Sequence, residues 1–289
     1  MSRRFKASLG LLLVSVIWGL AFLYQKDGGD NIGSFTYNAS RYLLATISLL
    51  FFLGFDKKKN NKSYVLGLVC GLILFAASMF QQYGVQLTDY TGKAGFLTDL
   101  YIVVVPLFGL LNKEKIESNK WFGLLLCVIG IYFLCVNQKL TFNIGDILLI
   151  LCAIFFAFQI VFIDKFAKDV STIRFAIGQY LAVSILSWIF AFCIEQPQLH
   201  AIISNSESII FGGILSITIG YTVQIYAQKD LDSLTASLLM SLESLFCILF
   251  SSIILKETMT TKNYIGCIFT LLGIIITQID LKQISNKAK

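Results

Sequence analysis

Hydrophobic residues along the chain fall into long runs, and short polar segments separate them. Each run is about 20 residues long, which is the length an α-helix needs to cross the ~30 Å hydrocarbon core of a bilayer. Ten runs occur, at 7–25, 34–55, 64–86, 92–111, 119–137, 146–164, 172–194, 207–228, 233–255 and 262–280. The pattern predicts an all-α integral membrane protein with ten transmembrane helices.

Composition agrees with this class. Hydrophobic residues make up 56% of the chain, charged residues make up 14%, and there are two prolines. A soluble domain does not need so apolar a composition for its core. The first run follows Arg3 and Arg4 as in a signal peptide, but no small-residue cleavage site follows it, so we predict an uncleaved first helix.

The two halves of the chain repeat each other. The segment KEKIESNKWFGLLLCVIG from Lys113 matches KETMTTKNYIGCIFTLLG from Lys256, 143 positions later. The repeats that follow span 1–138 and 139–289, with five predicted helices each. Because five is odd, the second repeat enters the membrane from the opposite side. Such inverted repeats are typical of secondary transporters that open alternately to the two faces.

Basic residues predict the orientation. If the N-terminus is inside, 17 of the 23 Lys and Arg residues lie on the cytoplasmic side. This bias predicts a multi-pass protein of the plasma (inner) membrane with both termini in the cytoplasm. The net charge of +6 is then a topology signal, and we expect no nucleic-acid partner.

Two carboxylates lie deep within predicted spans. Asp99 is eight residues into the fourth span and Glu243 is about ten into the ninth, so at ~1.5 Å per residue both lie inside the apolar slab. Ionisable groups at such depth usually face the bundle interior and mark functional sites. We predict that Glu243 and Asp99 bind protons or a cation. The structural alternative is that each only hydrogen-bonds a neighbouring helix.

Aromatic and amide side chains form a second group. Trp18 and Phe22 share one helix face because they are four residues apart. If the polar faces of several spans converge, they form an aromatic pocket suited to an amine or quaternary ammonium. The alternative is that the aromatic residues anchor the helices at the membrane interface. The predicted substrate-binding residues are Trp18, Phe22, Gln82, Tyr83, Asp99, Tyr101, Gln159, Tyr221, Gln224 and Glu243.

Three charged residues near predicted span ends are assigned a structural or gating role. Arg41 lies near one end of the second span, where a long basic side chain can reach the interface. A contact with a substrate carboxylate is its alternative role. Glu114 and Glu257 follow Lys113 and Lys256 at matching helix ends, and we expect them to pair with these lysines, to brace the turns or to act in gating.

The residue types that are absent from the spans narrow the function. No Lys or Arg appears near a span centre, which disfavours a phosphate substrate. His200 lies in a connecting segment, and the seven cysteines form no CxxC pair, so we expect no metal and no cofactor. No hydrolase or phosphate-binding motif occurs, so we expect no enzyme. Gly67 and Gly71 have a spacing that fits internal packing and homodimerisation equally.

The chain resembles the drug/metabolite transporter superfamily and its EamA-type members. The residues that carry the resemblance are Trp18-Gly19, Ser40-Arg41-Tyr42, AGFLTDLYIVVVP at 94–106, Lys113-Glu114, Leu242-Glu243-Ser244 and Lys256-Glu257. The chain departs from the pattern at Phe156, where tryptophan is common, and at Leu249, which pairs with Pro106. The resemblance implies transport of small organic solutes, often outward and often coupled to protons.

Three hypotheses follow. The leading one is a secondary transporter that exports a small metabolite, such as an amino acid, amine or drug-like cation, by alternating access, with proton coupling at Glu243 and Asp99. Its partners are then a small-molecule substrate, the lipid bilayer and protons. The second is an importer of a quaternary amine or other small nutrient on the same scaffold. The third is a membrane protein that transports nothing.

Overall fold

The computed structural model describes residues 2–56, 61–88, 91–111, 116–135, 143–254, 256 and 260–278. These residues form helices and connecting turns, with no β-strand among them. The helices are α1 (Arg3–Ile32), α2 (Ser34–Leu50), α3 (Asn61–Leu87), α4 (Thr91–Asp99), α5 (Tyr101–Leu111), α6 (Ser118–Cys135), α7 (Ile144–Phe166), α8 (Thr172–Phe190), α9 (Leu199–Ser204), α10 (Ser206–Ile210), α11 (Thr222–Ala227), α12 (Ser233–Met240), α13 (Leu242–Ile254) and α14 (Thr261–Gln278). A 3₁₀ turn covers Leu53–Phe55, and π-helical segments cover Ala191–Glu195 and Phe211–Tyr221.

In this described part, seven segments are long and apolar enough to cross a membrane: Arg3–Ile32, Asn61–Leu87, Lys93–Leu111, Ile144–Phe166, Thr172–Glu195, Ser206–Ala227 and Ser233–Ile254. Ser118–Phe133 and Thr261–Thr277 are shorter apolar helices, and α2 has 17 residues. The prediction of an all-helical, multi-pass membrane protein is confirmed at this level. Ten spans in two inverted repeats stay a prediction.

The exterior and interior of the bundle have the polarity of a membrane protein. Large apolar side chains such as Leu72, Ile189 and Ile268 remain exposed, whereas Gln159 and Gln179 are fully buried. Since lipid tails solvate apolar side chains as well as a protein core does, polar groups gain most by facing inward.

We call one end of the bundle the Glu195 face, after a residue whose contacts join several helices there. The carboxylate of Glu195 accepts a hydrogen bond of 2.8 Å from the backbone N–H of Phe35 at the start of α2. The Ser208 hydroxyl donates a 2.7 Å hydrogen bond to Asp27. This bond joins α10 to the end of α1. At this face α1, α3 and α8 end, and α2, α4, α7 and α10 begin.

The opposite end is the Asp232 face. Lys120 at the start of α6 lies 3.1 Å from the carboxylate of Asp232, which precedes α12. Arg174 at the start of α8 forms an ion pair of 2.7 Å with Asp56, which follows α2. The chain therefore alternates between the two faces from one long segment to the next.

Helices α6 and α14 pack closely through glycines in matching positions. A Cβ at Gly123 would lie 2.6 Å from the carbonyl oxygen of Gly273, and a Cβ at Gly130 would lie 2.8 Å from that of Gly266. In the sequence repeat, Gly123 corresponds to Gly266 and Gly130 corresponds to Gly273. Each of the two glycines of α6 therefore contacts the residue that corresponds to the other one. Small residues let helix backbones approach where lipid supplies no hydrophobic driving force.

Two of the long segments are interrupted at matching depths. The segment Lys93–Leu111 breaks at Leu100 between α4 and α5, and Ser233–Ile254 breaks at Ser241 between α12 and α13. Breaks inside a membrane helix free backbone groups, and they are tolerated where those groups face protein or a cavity. They place Asp99 and Glu243 beside helix ends in the bundle interior.

Candidate functional site

A cavity in the middle of the bundle collects side chains from both halves of the chain. Its free volume in this conformation is about 30 Å³, room for about two water molecules. Its lining residues are Trp18, Phe22, Gln25, Arg41, Gln81, Tyr101, Phe156, Gln159, Ile160, Ser216, Tyr221, Gln224, Met240 and Glu243. Seven of the ten predicted substrate-binding residues are among them.

Trp18 forms one wall of the cavity. Its indole Nε1 donates a 2.9 Å hydrogen bond to the carbonyl oxygen of Ser216, and its ring lies 4.9 Å from the ring of Tyr221. Gly220 leaves room for the indole, because a Cβ there would lie 2.5 Å from Nε1. Gly19 brings α1 against α13, because a Cβ at Gly19 would lie 2.8 Å from the carbonyl oxygen of Glu243.

Amide side chains line the part of the cavity nearest the Asp232 face. The Gln224 Nε2 donates to Gln159 at 3.1 Å and to Gln228 at 3.1 Å. Gln228 in turn donates to the carbonyl oxygen of Ile160 at 2.9 Å. These amides are thus held in a fixed network, which gives them defined orientations toward the cavity.

Arg41 lies inside the bundle, which corrects the expectation that its side chain reaches the membrane interface. It is 3% exposed, and its Nε donates a 2.7 Å hydrogen bond to Asn38. The guanidinium carbon lies 4.9 Å from the ring centre of Tyr37 and 5.5 Å from that of Tyr42, an arrangement favourable for cation–π attraction. A basic side chain is therefore buried inside the bundle, which the sequence analysis did not predict.

Glu243 and Asp99 lie side by side at the helix breaks. Glu243 is in the first turn of α13, where the positive end of the helix dipole stabilises a carboxylate, and it lines the cavity. Asp99 is the last residue of α4 and is 1% exposed. It does not line the cavity, and its polar neighbours are Glu243, Ser244 and Tyr101.

Besides Asp99, two predicted binding residues do not line the cavity. Gln82 is buried, and its Nε2 donates a 2.7 Å hydrogen bond to the carbonyl oxygen of Gln25, so it joins α3 to α1. The ring of Tyr83 packs edge-on against Phe35 at 5.5 Å, and its hydroxyl lies 3.5 Å from Glu195. Gln82 and Tyr83 therefore have packing contacts in this structure.

Glu114 and Glu257 lie outside the described residues, and their structural or gating role stays a prediction.

Two glutamines that line the cavity were not predicted from the sequence, and the position of one of them, Gln25, could have been. It follows Trp18 by seven residues, so it falls on the same helix face. Gln81 stands next to the predicted Gln82, and only the rotation of α3 decides which of the two faces the cavity.

A second cavity opens at the Asp232 face between the two halves. Its lining residues are Val105, Pro106, Gly109, Ile116, Lys120, Val161, Asp164, Lys165, Lys168, Asp232, Ser233 and Leu234. We call it the vestibule. Ion pairs hold part of its rim, with Lys168 lying 2.8 Å from Asp164. It lies on the same helices as the inner cavity, since α5, α7 and α12 contribute to both.

Comparisons with known proteins agree with a transporter. A profile of the EamA-like transporter family matches residues 5–136 and 143–279. The chain is 32% identical over 279 residues to an uncharacterized transporter of Archaeoglobus fulgidus, covering 96% of this chain and 87% of the relative. It is 22% identical over 286 residues to the uncharacterized transporter YoaV of Bacillus subtilis, covering 94% and 96% of the two chains. A crystal structure of another protein has the same fold, with a TM-score of 0.79, 18% identity and coverage of 94% and 96%.

Proposed function

Because the chain belongs to the EamA-like transporter family, we propose that the cavity between Arg41 and Glu243 binds the transported solute. The solute is a small organic metabolite of the amino-acid type, which carries an ammonium group and a carboxylate. Its ammonium group faces Glu243 and the aromatic wall at Trp18, and its carboxylate faces Arg41. The chain moves it across the membrane as a secondary transporter.

The observation that carries this proposal is the pair of opposite charges in one cavity. Neither Arg41 nor Glu243 takes part in an ion pair among the residues that the structure describes. A buried charge without a partner is unfavourable by several kcal/mol. A zwitterion supplies both missing partners at once, whereas a simple amine leaves the guanidinium uncompensated. Trp18 and Tyr221 add cation–π attraction for the ammonium group.

We also propose that the two halves act as inverted five-helix repeats and open alternately to the two faces. The glycine contacts between α6 and α14 support this arrangement, because each glycine of α6 meets the repeat counterpart of the other: Gly123 meets Gly273, and Gly130 meets Gly266. The Glu195 face is held by hydrogen bonds between the halves, while the vestibule lies at the Asp232 face. A closed Glu195 face and an open Asp232 face are expected of a transporter that is open to the Asp232 side.

The Asp232 face is cytoplasmic in this proposal, so both termini are inside the cell. Arg3, Arg4 and Lys6 lie at the start of α1, and Lys120, Lys165 and Lys168 line the vestibule. This accumulation follows the bias of basic residues toward the cytoplasm. We propose the plasma membrane as the location and export as the direction, as the sequence resemblance implies.

The test is a thermal-shift series with the purified protein and matched ligands. An amino acid is compared with the amine that lacks its carboxylate and the acid that lacks its amino group. We expect the zwitterion to stabilise most, because it supplies a partner to both Arg41 and Glu243. A ligand at ~100 times its Kd stabilises a protein by about 2.7 kcal/mol. In Arg41→Gln the advantage of the zwitterion over the amine is lost, and in Glu243→Gln its advantage over the acid is lost.

Glu207→Gln is the matched control, because Glu207 lies at the Glu195 face and contacts Tyr24 rather than the cavity. It keeps the wild-type ligand order. Equal stabilisation by the amine and the zwitterion in wild type would overturn the proposed substrate class. Counterflow of the stabilising ligand in proteoliposomes, absent from protein-free vesicles, then tests transport itself.

A further inference from the structure

The helix breaks at Leu100 and Ser241 bring together oxygen atoms that have no partner. Both carboxylate oxygens of Asp99 and the hydroxyl of Tyr101 are buried, and no hydrogen bond of good geometry reaches them, although Tyr101, Glu243 and Ser244 lie beside Asp99. The side chains of Asp99 and Tyr101 are 1% and 3% exposed. Buried polar atoms are normally satisfied, so a group of unsatisfied ones at one place points to a missing ligand.

The electrostatics at this place call for a positive charge. Asp99 ends α4, so its carboxylate lies at the negative end of that helix dipole. Glu243 is a direct neighbour and adds a second negative charge. No Lys or Arg forms an ion pair with either carboxylate among the described residues. Two adjacent carboxylates in a low-dielectric interior repel strongly unless a cation or a proton lies between them.

We propose that Asp99, Tyr101, Glu243 and Ser244 form a binding site for a dehydrated Na⁺ ion. Oxygen ligands are the ones that hard cations prefer. The last carbonyl groups of α4 lack partners within their helix, and such helix ends at breaks coordinate Na⁺ in secondary transporters of other folds. A single shared proton would satisfy one contact between the carboxylates and leave the remaining oxygens without a partner.

The ligand set also argues for a monovalent ion. No group of three or more His, Cys, Asp or Glu side chains that could hold a metal occurs in the described part of the chain. When both carboxylates are ionised they carry a charge of about −2, and Na⁺ balances half of it. The other half remains at Glu243, on the side that faces the cavity, for the ammonium group of the solute.

The site thereby couples the ion to the solute, a step that rests on the proposed function. Asp99 is separated from the cavity, whereas Glu243 and Tyr101 face both the cavity and Asp99. Na⁺ at Asp99 relieves the repulsion between the carboxylates and holds Glu243 in place. Na⁺ therefore raises the affinity for the solute, and the solute raises the affinity for Na⁺ by the same factor.

Thermal unfolding of the purified protein tests ion binding without any solute. Sodium chloride, potassium chloride and choline chloride are compared at equal concentration and one fixed pH. We expect Na⁺ to raise the Tm of wild type above the value in either other salt. In Asp99→Asn the Na⁺ concentration for half of the shift rises at least about tenfold, the effect of losing ~1.4 kcal/mol. Asp164→Asn, a carboxylate change in the vestibule, keeps the Na⁺ shift.

Direct binding of radioactive sodium to wild type keeps the proposal testable if Asp99→Asn does not fold. Equal Tm values in the three salts together with no bound sodium would overturn it. A Tm that depends on pH but not on Na⁺ would identify a shared proton instead. Stabilisation by a zwitterion without any effect of Na⁺ would sink the ion site and leave the proposed function intact. Na⁺ binding without zwitterion binding would overturn the proposed substrate class and leave the ion site intact.

Discussion

Replacing Glu195 by glutamine should loosen the start of α2 and with it the Glu195 face. Gly33, the residue before α2, offers no side chain to cap the helix. Glu195 caps it from the other half of the chain, accepting hydrogen bonds from the backbone N–H of Phe35 at 2.8 Å, the N–H of Thr36 at 2.7 Å and the Thr36 hydroxyl at 2.8 Å. Gly33 has a φ of 89°, and a Cβ there would lie 2.6 Å from this carboxylate.

The size of the effect follows from these contacts. Hydrogen bonds to a charged group are worth ~1.5–3 kcal/mol each, and the charge at a helix N-terminus adds ~0.3–1 kcal/mol. Glutamine keeps one acceptor oxygen but turns the other into a donor that faces backbone N–H groups. We expect a net loss of ~2–3 kcal/mol, which is about 30- to 150-fold in the equilibrium for opening this contact.

Hydrogen–deuterium exchange measures this opening directly, because the amides of Phe35 and Thr36 exchange only when Glu195 releases them. In Glu195→Gln their exchange should accelerate about 30- to 150-fold, in line with the estimated loss. Glu207→Gln is the control, since Glu207 contacts Tyr24 at the same face without capping α2. An acceleration of less than about threefold, or an equal acceleration in the control, would refute the reasoning.

Two further outcomes follow from the packing and charges of the described residues. Gly123→Ala places a Cβ 2.4 Å from Thr277 Cγ2 and should destabilise the protein by ~1–3 kcal/mol in thermal unfolding, whereas Gly54→Ala, which meets open space, should change the Tm little. Burial raises the pKa of the Asp232 carboxyl, but Lys120 and neighbouring hydrogen bonds outweigh it and hold the pKa below its ordinary value. Stabilisation by this carboxylate is present above its unfolded pKa and lost as pH falls through the folded one, so acidification should lower the Tm of wild type more than that of Asp232→Asn.

The class of the protein and much of the cavity wall could be predicted from the sequence. Apolar runs of membrane length identify a helical membrane protein because each span satisfies its backbone within itself. Trp18 and Phe22 could be placed together because a helix repeats every 3.6 residues. Glu243 could be singled out because an ionisable group at that depth is too unfavourable to face lipid.

Packing between the helices sets which of several neighbouring polar residues faces the cavity. Periodicity gives the spacing of a helix but not its rotation about its own axis, which packing between helices sets. Gln81 therefore faces the cavity while Gln82 holds α1 and Tyr83 packs at the Glu195 face.

The meeting of charged residues inside the bundle also required the fold. Arg41 near the end of an apolar run fits a side chain that reaches the interface, and its burial depends on Asn38 and two tyrosine rings that pack around it. Asp99 and Glu243 are far apart in the sequence, and they meet because both of their segments break at the same depth. Contacts between distant segments depend on the docking of whole helices, and no local pattern of residues encodes that docking.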